Sequence, residues 1–148
     1  RSESKELIDT YYQTYPQLKV FIDKQIHFAR ENGYVETILG RRRYLPDINS
    51  RNQVVRGAAE RNAVNAPIQG SAADIIKIAM INIYNLLKDN KLKTKMLLQV
   101  HDELIFDVPK NELDFVKPLI KKTMEEAYQF AVPLVVDLGV GKNWLEAH

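Results

Sequence analysis

Two acids and an imidazole stand side by side at His101-Asp102-Glu103, between the runs 96–100 and 104–108, which are otherwise almost wholly apolar. Tight hairpin turns normally use Asn-Gly, Asp-Gly or Gly-Gly, so this choice of residues calls for a reason. In a regular strand Asp102 and Glu103 would point to opposite faces, but at a tight turn both carboxylates can project from the tip of the sheet. Hard oxygen ligands of that kind suit Mg²⁺, which takes one or two protein carboxylates and leaves its other positions to water and substrate phosphate. Such an ion polarises a phosphoryl oxygen and stabilises the entering and leaving groups. The competing reading is a solvated polar turn, where acids are common, with His101 as a hydrogen-bonded surface residue.

A second feature is the arginine content of residues 41–61. Arg41, Arg42, Arg43, Arg51, Arg56 and Arg61 face only Asp47 and Glu60, a surplus of +4 within a chain whose total is +2, and the window contains no lysine. The planar, always-charged guanidinium suits phosphate, which points to a nucleic-acid backbone more than to a membrane surface. A solvated face, with Arg56 and Glu60 paired at i, i+4, is the alternative. Third, Arg61, Asn65 and Gln69 recur at four-residue steps in an Ala/Val/Ile background. If helical geometry persists through Pro67 they share one face, and their donors suit the N3 and O2 acceptors present on every base pair in the minor groove. If the helix breaks there instead, Asn65 and Gln69 serve as caps.

These residues need elements to hold them. Leu7, Ile8, Tyr11, Tyr12 and Tyr15 have helical spacing behind Ser2 or Ser4 as a cap, and Pro16 interrupts the run. Leu18, Phe21, Ile22, Ile26 and Ala29 continue a second helix to Asn32-Gly33. Residues 34–39 and 41–45 around Gly40 predict a β-hairpin. A helix follows from Arg51 to about Asn65, which Pro67 and Gly70 are expected to end. Ser71 then caps a new helix with Asp74 in its first turn, carrying Ile75, Ile76, Ala79, Met80, Ile83, Leu86 and Leu87. Two strands flank His101-Asp102-Glu103, a helix spans 111–131 across Pro118, and a last strand covers 134–140. The fold class is therefore α+β, with helices packed on a small, mainly antiparallel sheet behind an N-terminal helical and β-hairpin part.

Composition bounds what this assembly can be. At 148 residues, 45% hydrophobic and 27% charged, the chain has the make-up of an ordinary globular domain or part of a larger one. With no cysteine it can hold neither a disulfide framework nor a thiolate zinc site, and an intracellular, cytoplasmic location is the default. No apolar run approaches the roughly 20 residues of a membrane helix, so no membrane partner is expected. The opening Arg1-Ser2-Glu3-Ser4-Lys5 has neither an initiator Met nor a signal region, and a fragment of a longer protein is the expectation.

Together these features resemble the C-terminal part of family A DNA polymerases. Three segments carry the resemblance: Gly40-Arg41-Arg42-Arg43-Tyr44-Leu45-Pro46-Asp47-Ile48, then Glu60-Arg61-Asn62-Ala63-Val64-Asn65-Ala66-Pro67-Ile68-Gln69-Gly70-Ser71-Ala72-Ala73-Asp74, and Gln99-Val100-His101-Asp102-Glu103-Leu104, which looks like the family's motif C. The similarity runs in order to the Gly141-Lys142-Asn143-Trp144 ending.

The resemblance implies template-directed addition of deoxynucleotides to a primer 3′-hydroxyl by two-metal phosphoryl transfer. It implies Asp102 as a ligand of Mg²⁺, Glu103 assisting at the same site, and His101 near the primer terminus. Arg61, Asn65 and Gln69 would line the minor groove of the terminal base pairs, and Arg56 would approach the duplex backbone. Primer-template DNA and deoxynucleoside triphosphates are the implied partners. Residues 1–50 would belong to the fingers and 51–148 to the palm. The family's motif A aspartate, nucleotide-binding finger helix and thumb have no counterpart here, so the chain is expected to be inactive alone and prone to self-association. The rival is a non-catalytic nucleic-acid-binding domain with a polymerase-like palm. A single-subunit RNA polymerase is disfavoured by the context of residues 69–74.

Overall fold

A computed structural model describes the backbone of residues 2–147 and the side chains of residues 4–147. The elements are α1 (Ser2–Thr14), α2 (Pro16–Asn32), β1 (Tyr34–Glu36), β2 (Arg42–Tyr44), α3 (Gln53–Asp89), β3 (Lys95–Val100), β4 (Glu103–Asp107), α4 (Leu113–Glu125) and α5 (Trp144–Ala147). The α+β class is as expected: helices dominate, and the two sheets are two-stranded and antiparallel. Ser4 lies inside α1 and is not its cap; the side chain of Ser2 falls outside the described residues.

The chain divides into two compact units, residues 1–71 and 72–148. In the first, Pro16 opens α2 at the position where its missing N–H costs nothing, and Gly33 closes it in the left-handed region (φ 76°), donating to Ala29 O at 2.8 Å. The left-handed turn sends the chain straight into β1, which pairs with β2 from Tyr34↔Tyr44 to Glu36↔Arg42. Ala29, Val35, Leu45, Ile48, Ala59 and Ala63 form the core beneath this hairpin. The alanines on α3 keep that face shallow, so the hairpin can lie close against the helix.

The helix α3 departs from expectation. It is continuous through Pro67 and Gly70, so there is no break and no new helix beginning at Ser71. Proline in a helix interior costs about 3 kcal/mol, because Ala63 O loses its donor and the ring crowds the preceding turn. Burial of Pro67 and contacts from the hairpin turn offset that cost. Asp74 consequently sits mid-helix and buried, not in a first turn.

In the second unit, Ile83, Leu87, Val116 and Ile120 form the core, with Leu104, Phe106 and Met124 packed against it. Two further expectations fail here. The helix predicted for 111–131 ends at Glu125, and residues 134–140 form no strand. One backbone donor of this stretch meets a side chain instead of a neighbouring strand: Val136 N–H donates to Glu125 Oε1 at 3.1 Å. An apolar, β-branched run becomes a strand only when a ladder partner is available.

Candidate functional site

Strands β3 and β4 pair antiparallel, from Lys95↔Asp107 to Val100↔Glu103, with a bulge between Met96 and Leu98. Since Val100 and Glu103 are the last ladder pair, His101 and Asp102 alone make the turn. His101 adopts φ 52°, one of only two non-glycine residues with positive φ among the described residues. That region costs an L-residue about 1–2 kcal/mol, though His is among the side chains that enter it more readily. Gln99 Nε2 donates to His101 O at 2.9 Å and props the turn from below.

The base of this hairpin is clamped by Glu112. Its carboxylate accepts from Lys93 N–H (2.9 Å), Thr94 N–H (2.9 Å) and the buried Thr94 hydroxyl (2.7 Å), tying the start of β3 to the start of α4. Those bonds, the Lys93 amide foremost and the Thr94 hydroxyl next, hold the Glu112 carboxyl below the usual carboxylate range. Leu104 and Phe106 anchor the other strand in the core. The tip therefore rises from a fixed base, with the Asp102 side chain exposed and Glu103 half-buried beside it.

Two adjacent carboxylates fit Mg²⁺ as part of its oxygen shell, since this ion is commonly held by one or two carboxylates with substrate phosphates completing the set. Among the described residues no cluster of three or more His, Cys, Asp or Glu converges to make a closed metal cage.

In the first unit, helical continuity brings Arg61, Asn65 and Gln69 onto one exposed face of α3. This removes the alternative in which Asn65 and Gln69 cap a broken helix. None of the three has a side-chain hydrogen-bond partner among the described residues, so their donors face outward unspent. Arg56 is engaged within the chain: its Nη1 donates to Ser50 O at 3.1 Å and its Nε lies 3.6 Å from Glu60, the i, i+4 pair anticipated. Arg30 reaches the same Glu60 oxygen at 2.6 Å. Arg42 donates to Glu36 at 2.8 Å and lies 4.4 Å over the Tyr34 ring; the carboxylate bond first, then the charge interaction with the Tyr34 phenol, raises its pKa. Arg41, Arg42 and Arg43 line a cleft of about 90 Å³ with Thr37, Ala66, Gln69 and Gly70. Sequence reasoning overlooked the role of Ser71 and Arg41 in holding the hairpin turn to α3; the Pro67/Ser71 spacing of four, which lets a serine hydroxyl bond the i−4 carbonyl, was the available signal.

Residues 1–146 match the family model described as DNA polymerase family A. The chain belongs to that family. It is 56% identical over 147 residues to DNA polymerase I of Lactococcus lactis subsp. lactis strain IL1403, and equally to that of Streptococcus pneumoniae serotype 4. The thermostable DNA polymerase I of Thermus thermophilus is 46% identical over 145 residues. The alignments to Lactococcus and Streptococcus cover 99% of this chain but 17% of each relative's length. Among solved structures, the POL domain of Pol1 from M. smegmatis, in complex with DNA primer-template and dNTP, superposes with a TM-score of 0.96 at 46% identity, over 99% of this chain and 26% of that one. The His101-Asp102-Glu103 tip and the face of α3 thus lie within a segment similar throughout to family A polymerases.

Proposed function

We propose that the chain is the fingers-and-palm segment of a DNA-directed DNA polymerase that extends a primer 3′-hydroxyl with deoxynucleotides on a template. One observation carries the reading most: an exposed Asp102 at the turn of a firmly based hairpin with the half-buried Glu103 next to it at the start of β4, in a chain that matches family A from residue 1 to 146. Residues 1–50 are assigned to the fingers and 51–148 to the palm. Asp102, assisted by Glu103, holds Mg²⁺ at the hairpin tip. When bound, the metal ions of the two-metal scheme lower the pKa of the attacking hydroxyl and neutralise charge on the triphosphate.

The chain's own residues supply position. His101 lies at the primer terminus, and its left-handed turn aims Asp102 outward. Arg61, Asn65 and Gln69 donate to minor-groove acceptors of the terminal pairs, contacts that test base-pair shape with little sequence preference. Arg56 approaches the duplex backbone, with its charge partly shared by Glu60. Support for DNA and nucleotide partners comes from the M. smegmatis structure, solved with both. No described helix is long and apolar enough to cross a membrane.

The rival, a binding domain without chemistry, predicts DNA binding but no extension. Primer extension by the full-length polymerase carrying this segment separates them: extension that stops with chelator supports the polymerase, and binding without any extension supports the rival. The 148-residue chain alone is predicted to extend nothing, since two carboxylates cannot position the in-line displacement unaided. Detectable extension by it would refute that part.

A further inference from the structure

Gln69 sits in the softest stretch of α3. Pro67 removes one helical hydrogen bond, and Gly70 contributes no side chain to hold the turn. A bend of about 20° at a proline swings a side-chain tip about 6 Å away by roughly 2 Å, more than a hydrogen bond tolerates. The hairpin turn of residues 37–41 grips this stretch on both sides of Gln69, entirely within the first unit. Ile38 N–H donates to Ser71 Oγ at 2.8 Å, and the Ser71 hydroxyl donates to Pro67 O. Arg41 Nη2 donates to Gly70 O at 3.1 Å. Because Gly70 lacks a Cβ, the Thr37 methyl can press against the helix backbone. The turn is itself stiff, since Thr37 N–H donates to Arg41 O at 2.9 Å and Arg41 N–H to Thr37 Oγ1 at 3.1 Å.

We infer that Ser71 and Arg41 are positioning residues: through the carbonyls of Pro67 and Gly70 they fix the orientation of Gln69 toward the terminal base pair, and so set how strongly the enzyme favours a matched primer end. The inference rests on the reading that Gln69 contacts primer-template DNA. It assigns Arg41 a structural duty distinct from phosphate binding, and makes a hairpin in the fingers part of the terminus-sensing device.

The test uses the full-length polymerase carrying this segment, with single-turnover incorporation from matched and mismatched primer ends. Gln69→Ala, Ser71→Ala, Arg41→Ala and the doubles with Gln69→Ala are compared. Ser71→Ala is expected to slow matched incorporation by about ten- to a hundredfold, the upper end being what misplacement by about an ångström can cost, and to lower the matched-to-mismatched ratio, with DNA affinity within about twofold. The double with Gln69→Ala should be no slower than Gln69→Ala alone, because both remove the same contact. Ser71→Thr, which keeps the hydroxyl, should restore the rate. Arg41→Ala, the other arm of the latch, should behave like Ser71→Ala, and serves should Ser71→Ala fail to fold. The inference is overturned if Gln69→Ala is defective while Ser71→Ala and Arg41→Ala are not, or if the doubles show additive losses. A silent Gln69→Ala overturns it too, and marks the failure as that of the underlying reading.

Discussion

Replacing Gly70 by alanine sets two effects of known sign against each other. In an exposed helix interior Gly→Ala stabilises by about 1 kcal/mol, because alanine loses less backbone entropy on folding. At Gly70, however, an added Cβ would lie 2.5 Å from Thr37 Cγ2, where ordinary contact begins near 3.4 Å. Thr37 is β-branched and its hydroxyl is held by Arg41 N–H, so it cannot swing aside freely. Relieving the overlap needs a displacement of close to 1 Å, and overpacking of that kind costs about 1–3 kcal/mol. The upper half of that range less the propensity gain predicts a net loss of about 1–2 kcal/mol. Urea unfolding of the 148-residue chain, followed by circular dichroism, measures it. Thr37→Ser makes the decisive partner: it deletes Cγ2 and keeps Oγ1, and the next atoms, Arg41 Nη2 and Thr37 Cβ, are 3.4 and 3.8 Å away. In that background Gly70→Ala should turn stabilising by about 1 kcal/mol. If Gly70→Ala alone stabilises, or the double mutant is as weak as the single, the hairpin turn does not press on α3 and the latch argument fails with it.

Three other outcomes are expected. Ile83, fully buried in the second core, should cost about 2–5 kcal/mol on truncation to alanine, read from the urea midpoint, and a loss under about 1 kcal/mol would mean that this core is not packed as described. Glu112 has its folded pKa depressed, so its contribution to stability is complete above the ordinary carboxylate pKa and disappears as pH falls through the lower folded value; Glu112→Gln should destabilise at neutral pH and flatten the acid limb of a stability-pH curve, and an unchanged limb would contradict the clamp. The exposed faces of Leu97, Leu98 and Leu145 should drive association of the 148-residue chain, and a clean monomer by sedimentation velocity at high concentration would count against it.

Much of this structure could be read from residue order because local signals and tertiary demands agreed. The Asn32-Gly33 stop, the Pro16 start and the strands around His101-Asp102-Glu103 each depend on chemistry within a few residues. The failures share a cause of longer range. Pro67, Gly70 and Ser71 look like punctuation in isolation, and only the hairpin turn some 30 residues earlier turns them into a gripped, continuous helix. Likewise residues 134–140 have strand composition, yet strand formation needs a partner that the sequence cannot supply locally. The site was legible as a list of residues and not as a mechanism of support. Asp102 and Glu103 stood out by type, whereas the Glu112 clamp joins Thr94 to a carboxylate 18 positions away by bonds that no spacing rule announces.

The central claim is that Asp102 holds the metal at which nucleotide addition occurs. Its most direct test is single-turnover incorporation by the full-length polymerase carrying this segment, across a Mg²⁺ titration, with wild type beside Asp102→Asn, which keeps shape and removes charge. The account predicts that incorporation falls by several orders of magnitude while primer-template affinity stays within about twofold. Equal incorporation by the two proteins at every Mg²⁺ concentration would contradict it.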